Sequence, residues 1–341
     1  MALHRAAQVA SVLLAGLIFG FTGSMQTHAA DNAFMVRPNI PTDNKAPKNS
    51  NYFQVQLKRH DSRQLGLTLY NENTQPLKVN VAVLNAITAT NGRVVYVPAK
   101  QVDRKMLPRP VSELIHYPRT VTVKSRTITQ LTLTVPAQAP LFRGTKAAAI
   151  QLTGQTTGGK GKAAVTNRVR YQVGLLLQGK KVTQTPQLAI GTKTWPTKLV
   201  NPRLKVQVVN ANPHFIRNAT FRLDVQGARA LFLNYHKRVS GIKIAPNSQF
   251  QMGFGFHGAR LQSGYYRLQL HVSGTAHKQA MTRFIRVSRG GDITYVAQRD
   301  YQLARRWLWL VLGGIVLVVA ALVTWLLVVR ARRRKNHASS H

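Results

Sequence analysis

An uninterrupted apolar segment near the carboxyl end, Trp307–Val329, restricts this chain more than any other feature. It contains no charged residue, and at about 1.5 Å of rise per residue it is long enough to cross the roughly 30 Å hydrocarbon core of a bilayer. A lone segment in lipid must satisfy its own backbone N–H and C=O groups, which a helix does. The sequence therefore predicts one transmembrane helix at residues 307–329.

The residues around this segment predict how the helix is anchored. Indole side chains prefer the headgroup region of a membrane, and cations that follow a span stay in the cytoplasm. The predicted anchor residues are Trp307, Trp309, Trp325, Arg330, Arg332, Arg333, Arg334 and Lys335. We therefore expect residues 330–341 to form a basic cytoplasmic tail and the chain before the span to lie outside the cell.

The amino-terminal residues have the composition of a secretory signal. A short apolar run, Val9–Phe21, follows a weakly basic start, and Ala29 or Ala30 provides a small residue suited to cleavage. An uncleaved anchor is the alternative, but this run is short for a span. We expect residues 1–30 to be removed, which leaves a single-pass type I protein in the cell membrane with an extracellular body.

Composition limits what the exported body can do. The chain has no cysteine, which excludes disulfides, thiol catalysis and cysteine-ligated zinc. It has 48 Lys and Arg against 9 Asp and Glu, a formal net charge of +39 that attracts polyanions. Teichoic acids and host surface ligands are candidate partners, and nucleic acid is not expected outside the cell. Alternatively, the dispersed charge only sets solubility and retention in the wall.

Most of the exported chain alternates apolar with polar residues, which is typical of half-buried strands. In the first half the predicted strands are 53–57, 65–69, 77–83, 94–98, 121–124, 127–135, 147–152 and 169–177. In the second half they are 204–208, 221–225, 250–256, 266–272 and 284–287. This pattern predicts an all-β fold of two immunoglobulin-like β-sandwich domains.

We place the first domain at residues 31–157 and the second at residues 164–300, with the boundary between 155 and 186. The Gly- and Lys-rich segment 155–163 is either a hairpin tip or a linker. Residues 102–117 are predicted to form a crossover with one helical turn, and residues 288–306 a polar stalk that reaches the membrane.

An aromatic stripe stands out in the second half. Phe250, Met252, Phe254 and Phe256 alternate with small and polar residues. Such a row can stack against glycans, but strict alternation favours a core-facing strand. We expect this strand to pair with the strand at 266–272.

Short motifs occur in order along almost the whole chain. Their residues are Tyr52, Phe53, Asn71, Asn91, Gly92, Phe142, Gly144, Pro246, Asn247, Ser248, Gly264 and Tyr265. With this order and topology, the sequence resembles the WxL-interacting proteins of Gram-positive bacteria. The resemblance implies a peptidoglycan-binding domain followed by a host-binding domain, no catalytic activity, and WxL-domain surface proteins and peptidoglycan as partners. The turn at 59–61 and the alanines at 147–149 depart from the family pattern.

The residues themselves offer little chemistry for catalysis. Glycan hydrolysis needs two carboxylates roughly 5 to 10 Å apart, and the nine acidic residues are spread thinly along the chain. The histidines of the body have no zinc-binding spacing. We therefore predict no catalytic residue, no cofactor and no metal. The favoured function is a surface scaffold, with an electrostatic adhesin and a wall-modifying enzyme as alternatives.

Overall fold

The computed structural model describes residues 34–158, 165–183, 187–191, 203–229, 234–255, 261–274 and 277–338. Within these ranges the chain forms two β-sandwiches followed by one long helix. The predicted fold class, two immunoglobulin-like sandwiches and a carboxyl-terminal apolar helix, is confirmed. The predicted signal peptide lies outside the described residues.

The first sandwich contains the strands from β1 to β9. These are β1 (Phe34–Asn39), β2 (Phe53–Gln56), β3 (Arg63–Asn71), β4 (Leu77–Thr88), β5 (Val94–Val97), β6 (Thr120–Val123), β7 (Ile128–Val135), β8 (Thr145–Gly158) and β9 (Val165–Gln178). One sheet has the order β1-β3-β7, and the other has the order β2-β9-β8-β4, with β5 and β6 both paired to β4. Two short 3₁₀ helices follow β5: Ala99–Gln101 lies just before the predicted crossover at 102–117, and Val111–Glu113 lies within it.

The second sandwich contains the strands from β10 to β17. These are β10 (Ala189–Ile190), β11 (Arg203–Asn210), β12 (Ile216–Gly227), β13 (Asn234–Ile244), β14 (Ser248–Gly255), β15 (Gly264–Gly274), β16 (His277–Val287) and β17 (Ile293–Val296). Its two sheets have the orders β10-β11-β14 and β13-β12-β15-β16-β17.

The predicted aromatic stripe is a core face, but its predicted pairing is wrong. Phe250, Met252 and Phe254 are buried on β14, while Phe256 lies outside the described residues. β14 pairs with β11, and β15 pairs with β12 and β16. The connection between β14 and β15 is longer than a tight hairpin loop, so the two strands can lie in different sheets. Their apolar faces then pack against each other across the core between the sheets.

β9 belongs to the first sandwich. It pairs antiparallel with β8 along its whole length, and its last four residues pair parallel with β2. The glycine- and lysine-rich segment therefore connects two strands of one hairpin and is not a linker between domains. By strand pairing the first sandwich extends to Gln178, which lies within the predicted boundary range of 155–186.

The predicted polar stalk at 288–306 is wrong. This segment contains β17 and the first turns of a continuous helix, α1 (Gln298–Ala338). Ile293, Tyr301 and Ala304 are buried there, because their apolar side chains pack on the second sandwich. In the described part of the chain, α1 is long and apolar enough to cross a membrane as far as Arg330.

Candidate functional site

Two of the motif residues are structural parts of the first sandwich. Phe53 is fully buried in the core. Asn71 is also fully buried, and its amide group donates to the carbonyl oxygens of Gln75, Val123 and Lys124 at 2.9–3.1 Å. A buried amide bonded in this way joins two loops, because leaving any of these polar groups unpaired would cost free energy.

The second sandwich repeats this device at Asn210, which the sequence analysis missed. Asn210 ends β11 as Asn71 ends β3, and its amide donates to the carbonyl oxygens of His214 and Ala245 at 3.1 and 3.0 Å. Each asparagine also accepts the backbone N–H of an asparagine two residues later, Asn73 or Asn212. An Asn-x-Asn triplet at the end of an apolar strand was the sequence signal for both sites.

Other motif residues meet at the junction between the two sandwiches. Gly92 has a φ of 73°, and its carbonyl oxygen accepts the N–H of Lys243 at 2.9 Å. Gly144 has a φ of 72°, and a Cβ placed on it would lie 2.5 Å from Pro213. Both positions require glycine, since an L side chain is strained at these angles and lacks space at the contact. The neighbouring Asn91 is exposed and only closes its own turn.

A buried hydroxyl pair forms the polar centre of this junction. Thr88 and Ser248 place their Oγ atoms 3.0 Å apart, although one belongs to each sandwich. The Thr88 Oγ1 accepts the N–H of Ala245 at 3.0 Å, and the Ser248 Oγ donates to its carbonyl oxygen at 2.7 Å. Pro246 is buried in the same turn, where Asn247 has a φ of 48°.

A small apolar cluster surrounds these hydrogen bonds. Ala86 and Ala147 of the first sandwich pack with Ala245 of the second, and the larger partners are Val94, Tyr96, Leu176 and Phe215. Hydrogen bonds and apolar contacts therefore both join the sandwiches. The motif residues here hold the domains together, a role that the sequence could not separate from binding.

A cleft opens beside the junction. It has a volume of about 440 Å³, and both sandwiches line it, with Tyr52, Tyr96, Gly174, Leu176, Phe215, Arg217 and Lys243 among the lining residues. The Arg217 guanidinium lies 5.6 Å from the centre of the Phe215 ring, and burial raises the pKa of Tyr96. None of the described residues that line the cleft is acidic, so it combines aromatic surface with positive charge.

The first sandwich has a second concave surface, a groove of about 790 Å³. Its cationic and titratable lining residues are Arg59, His60, Arg143, Lys180 and Lys181, and no acidic side chain is among the described residues that line it. The motif residue Phe142 lies in its wall. The turn at 59–61, which departs from the family pattern, supplies two of these residues.

A buried lysine lies behind this wall. Lys146 is 7% exposed, its Nζ donates to the carbonyl oxygen of Arg109, and it lies 5.1 Å from the centre of the Phe142 ring. Burial, with the nearby charge of Arg109, lowers the pKa of Lys146 to about 8. The lysine is consequently a pH-sensitive part of the first sandwich.

The opposite end of the second sandwich holds the base of α1. Tyr301 and Ala304 pack with Ala228, Tyr265 and Phe284. The Phe284 and Tyr301 rings have centroids 5.2 Å apart, and Arg286 lies over the Tyr265 ring. Tyr265 is therefore a helix-docking residue, and the neighbouring motif residue Gly264 is the first residue of β15.

The predicted membrane anchors all lie on α1. Trp307, Trp309 and Trp325 are more than half exposed, as lipid-facing residues should be. Arg330 and the cations at 332–335 continue the same helix, so the predicted basic tail begins as helical backbone.

Three of the eight acidic residues in the described part of the chain pair with cations. Asp43 accepts a hydrogen bond from Arg63, and Glu113 accepts one from Arg104, which lowers the pKa of each carboxyl group. Asp224 lies 3.4 Å from His271. The lowered pKa values of Asp43 and Glu113 keep these two carboxyl groups ionised at neutral pH, whereas a general acid needs a raised pKa.

Comparison with known families gives two matches along the chain. The model for the WxL Interacting Protein peptidoglycan binding domain matches residues 34–154. The model for the WxL Interacting Protein host binding domain matches residues 160–292, which includes β9. The matched models describe binding domains, and with the apolar helix α1 they fit a membrane-anchored protein of the cell surface.

Several of the similar solved structures are fimbrial chaperones. The class 5 fimbriae chaperone CfaA has 11% identity and a TM-score of 0.33, covering 74% of this chain and 98% of its own. The E. coli chaperone DraB has 12% identity and a TM-score of 0.31, covering 73% of this chain and 98% of its own. No curated protein matches the sequence.

Proposed function

Because the chain belongs to the WxL-interacting protein family, we propose that it is a non-enzymatic scaffold on the surface of a Gram-positive cell. One span holds it in the membrane, its first sandwich binds peptidoglycan, and its body binds WxL-domain surface proteins. The second sandwich is the candidate for host surface ligands. The protein is oriented as type I, with both sandwiches outside and the basic end of α1 inside.

The observation that best supports the scaffold function is the unbroken series of contacts from the first sandwich through the second sandwich to α1. The Thr88–Ser248 pair joins the first sandwich to the second, and Tyr301 joins the second sandwich to α1. A ligand bound to the first sandwich is thereby connected to the membrane through packed contacts at each step. Such a connection suits a protein that holds wall material in place.

The carboxylate environment supports the absence of catalysis. Arg63 and Arg104 hold Asp43 and Glu113 as ionised groups, so neither is prepared to donate a proton to a glycosidic oxygen. Release of soluble sugar fragments from peptidoglycan by the purified protein, lost on substitution of a single carboxylate, would instead identify a wall-modifying enzyme.

The basic groove favours a second function, an electrostatic adhesin for anionic polymers. Arg59, Arg143, Lys180 and Lys181 face one concavity, and phosphate-rich chains such as teichoic acids have the complementary charge. Binding of this kind releases counterions and weakens steeply as salt is added.

A salt series separates the two functions. Full-length protein in detergent is mixed with peptidoglycan sacculi, either intact or stripped of teichoic acid, between about 50 and about 500 mM salt. The scaffold should remain on stripped sacculi and on immobilised WxL-domain protein at the highest salt. Loss of all binding at high salt, or loss of all binding to sacculi stripped of teichoic acid, would instead support the adhesin.

A further inference from the structure

Part of one edge of β9 has no strand partner within the described residues, and this part is called the uncovered edge. β8 pairs with β9 from Val165 to Gln178. On the other side, β2 pairs only with Leu175–Gln178, and among the described strands no other pairs with the edge up to Gly174. Unpaired N–H and C=O groups along such an edge are a template for another strand.

Side chains on this edge have two distinct faces. Val169 and Tyr171 are half-buried, and the Tyr171 ring meets the Phe34 ring edge-on at 4.9 Å. Arg168 and Arg170 are exposed on the other face. An added strand would therefore place alternate apolar side chains beside Val169 and Tyr171, and acidic or polar side chains beside the arginines.

The uncovered edge ends at the cleft between the sandwiches. Tyr52, directly before β2, packs against Gly174, where an added Cβ would lie 3.2 Å away. Gly174 and Tyr52 both line the cleft, together with the exposed cations Arg217 and Lys243 of the second sandwich. A strand that runs parallel to β9, as β2 does, would point its carboxyl end at these cations.

We propose that the β9 edge and this cleft form a docking site for the carboxyl-terminal strand of a partner protein. The strand adds parallel to β9 in line with β2, and Arg217 and Lys243 bind its terminal carboxylate. Strand addition supplies main-chain hydrogen bonds, and capture of the carboxylate fixes direction and register. This site rests on the proposed scaffold function, because it describes how a partner protein is held.

Charge and topology select this occupant. An antiparallel strand would bring its amino-terminal end to the two cations, which is electrostatically unfavourable. The uncovered edge from Val169 to Gly174 suits a strand of about six residues, a usual strand length.

The test uses full-length protein in detergent and a pool of synthetic peptides of about eight residues. The peptides have valine or isoleucine at alternate positions, random residues between them and a free carboxylate. A second pool ends in an amide, and a third has N-methyl groups on alternate backbone nitrogens. We expect the free-acid pool to bind, and the other two to bind at least about tenfold more weakly.

A pair of charge-matched variants locates the site. Arg217→Gln with Lys243→Gln removes the cleft cations, whereas Lys205→Gln with Lys278→Gln removes two exposed cations of the same sandwich outside the cleft. Only the first variant should lose binding by at least about tenfold. Bound peptide should also slow amide hydrogen exchange between residues 168 and 174.

Several results would overturn the docking site. These are absence of binding by the free-acid pool, equal binding by the amide or N-methylated pools, and equal loss in both charge variants. Retention of the unmodified protein on sacculi is measured in parallel. Normal retention of the unmodified protein that binds no peptide rejects the docking site alone, while lost retention of the unmodified protein rejects the proposed function.

Discussion

The two sandwiches are built alike but are contacted differently. Each has an extensive apolar core, and each anchors a loop with a buried asparagine, Asn71 or Asn210. In the described structure the second sandwich is held at both ends, by the first sandwich and by α1, whereas the first is held at the junction only. The first sandwich also carries the basic groove and the uncovered edge of β9. The difference indicates that the second sandwich also connects the first sandwich to α1.

Core truncations should have the largest effect and test whether the sandwiches unfold together. Phe53→Ala and Phe254→Ala each remove a fully buried ring from one core, with an expected cost of about 3–5 kcal/mol in the free energy of unfolding. Calorimetry of the full-length protein should show one shared transition that either substitution lowers. Ile128→Ala is the control, because that side chain is 64% exposed. Two transitions that shift independently would show that the junction does not couple the sandwiches.

Increasing alkaline pH should change the free energy of unfolding of the two sandwiches in opposite directions. Lys146 has a pKa of about 8 when folded and 10.5 otherwise, so the unfolded state binds more protons between these values. The free energy of unfolding of the first sandwich should rise with pH across that interval, by up to about 3 kcal/mol. Burial raises the pKa of Tyr266 and Tyr295 from 10.0 to about 12, so the second sandwich should lose stability with increasing pH across that higher interval.

Lys146→Met isolates the contribution of the first sandwich. The variant should lack the rise in stability above pH 8 and keep the decline at higher pH. Hydrogen exchange measured over the pH series reports on each sandwich separately. A rise of the same size in wild type and variant would remove Lys146 as its cause.

A substitution at the junction should have a smaller effect, which is on whether the two sandwiches unfold together. Gly144→Ala places a Cβ 2.5 Å from Pro213 at a φ of 72°, whereas Gly241→Ala has a φ of 73° and no neighbour within 4 Å. Both substitutions incur backbone strain of about 1 kcal/mol, and only the first adds the contact across the junction. Gly144→Ala should split the calorimetric transition in two, and Gly241→Ala should leave it single. If both variants gave the same calorimetric profile, the contact between Gly144 and Pro213 would not be what couples the sandwiches.

The sequence predicted local structure well, because strand alternation is a local signal. Leu65, Leu67 and Leu69 are all fully buried, as their spacing required. The Asn91-Gly92 pair is likewise a local signal, typical of a turn, and its glycine has the positive φ that such turns need.

Partnerships between distant segments were not predictable in the same way. Alternation shows that the strand at Phe250 has one buried face. It does not show whether the next strand along the chain pairs with it in the same sheet or packs against it from the opposite sheet. Tyr301 and Ala304 were assigned to a stalk because arginines surround them in the sequence. Gly92 and Gly144 were recognised as motif residues, but their function depends on Ile242 and Pro213, which lie in the other sandwich.

The docking of α1 on the second sandwich has a mechanical consequence. The helix begins within the folded body and continues without interruption into its apolar part. Shear that pulls on wall material bound by the first sandwich would therefore load the junction and the Tyr301 contact in series. The weaker of these two contacts sets the force at which the protein yields, and the bilayer experiences torque at the foot of the helix as well as tension.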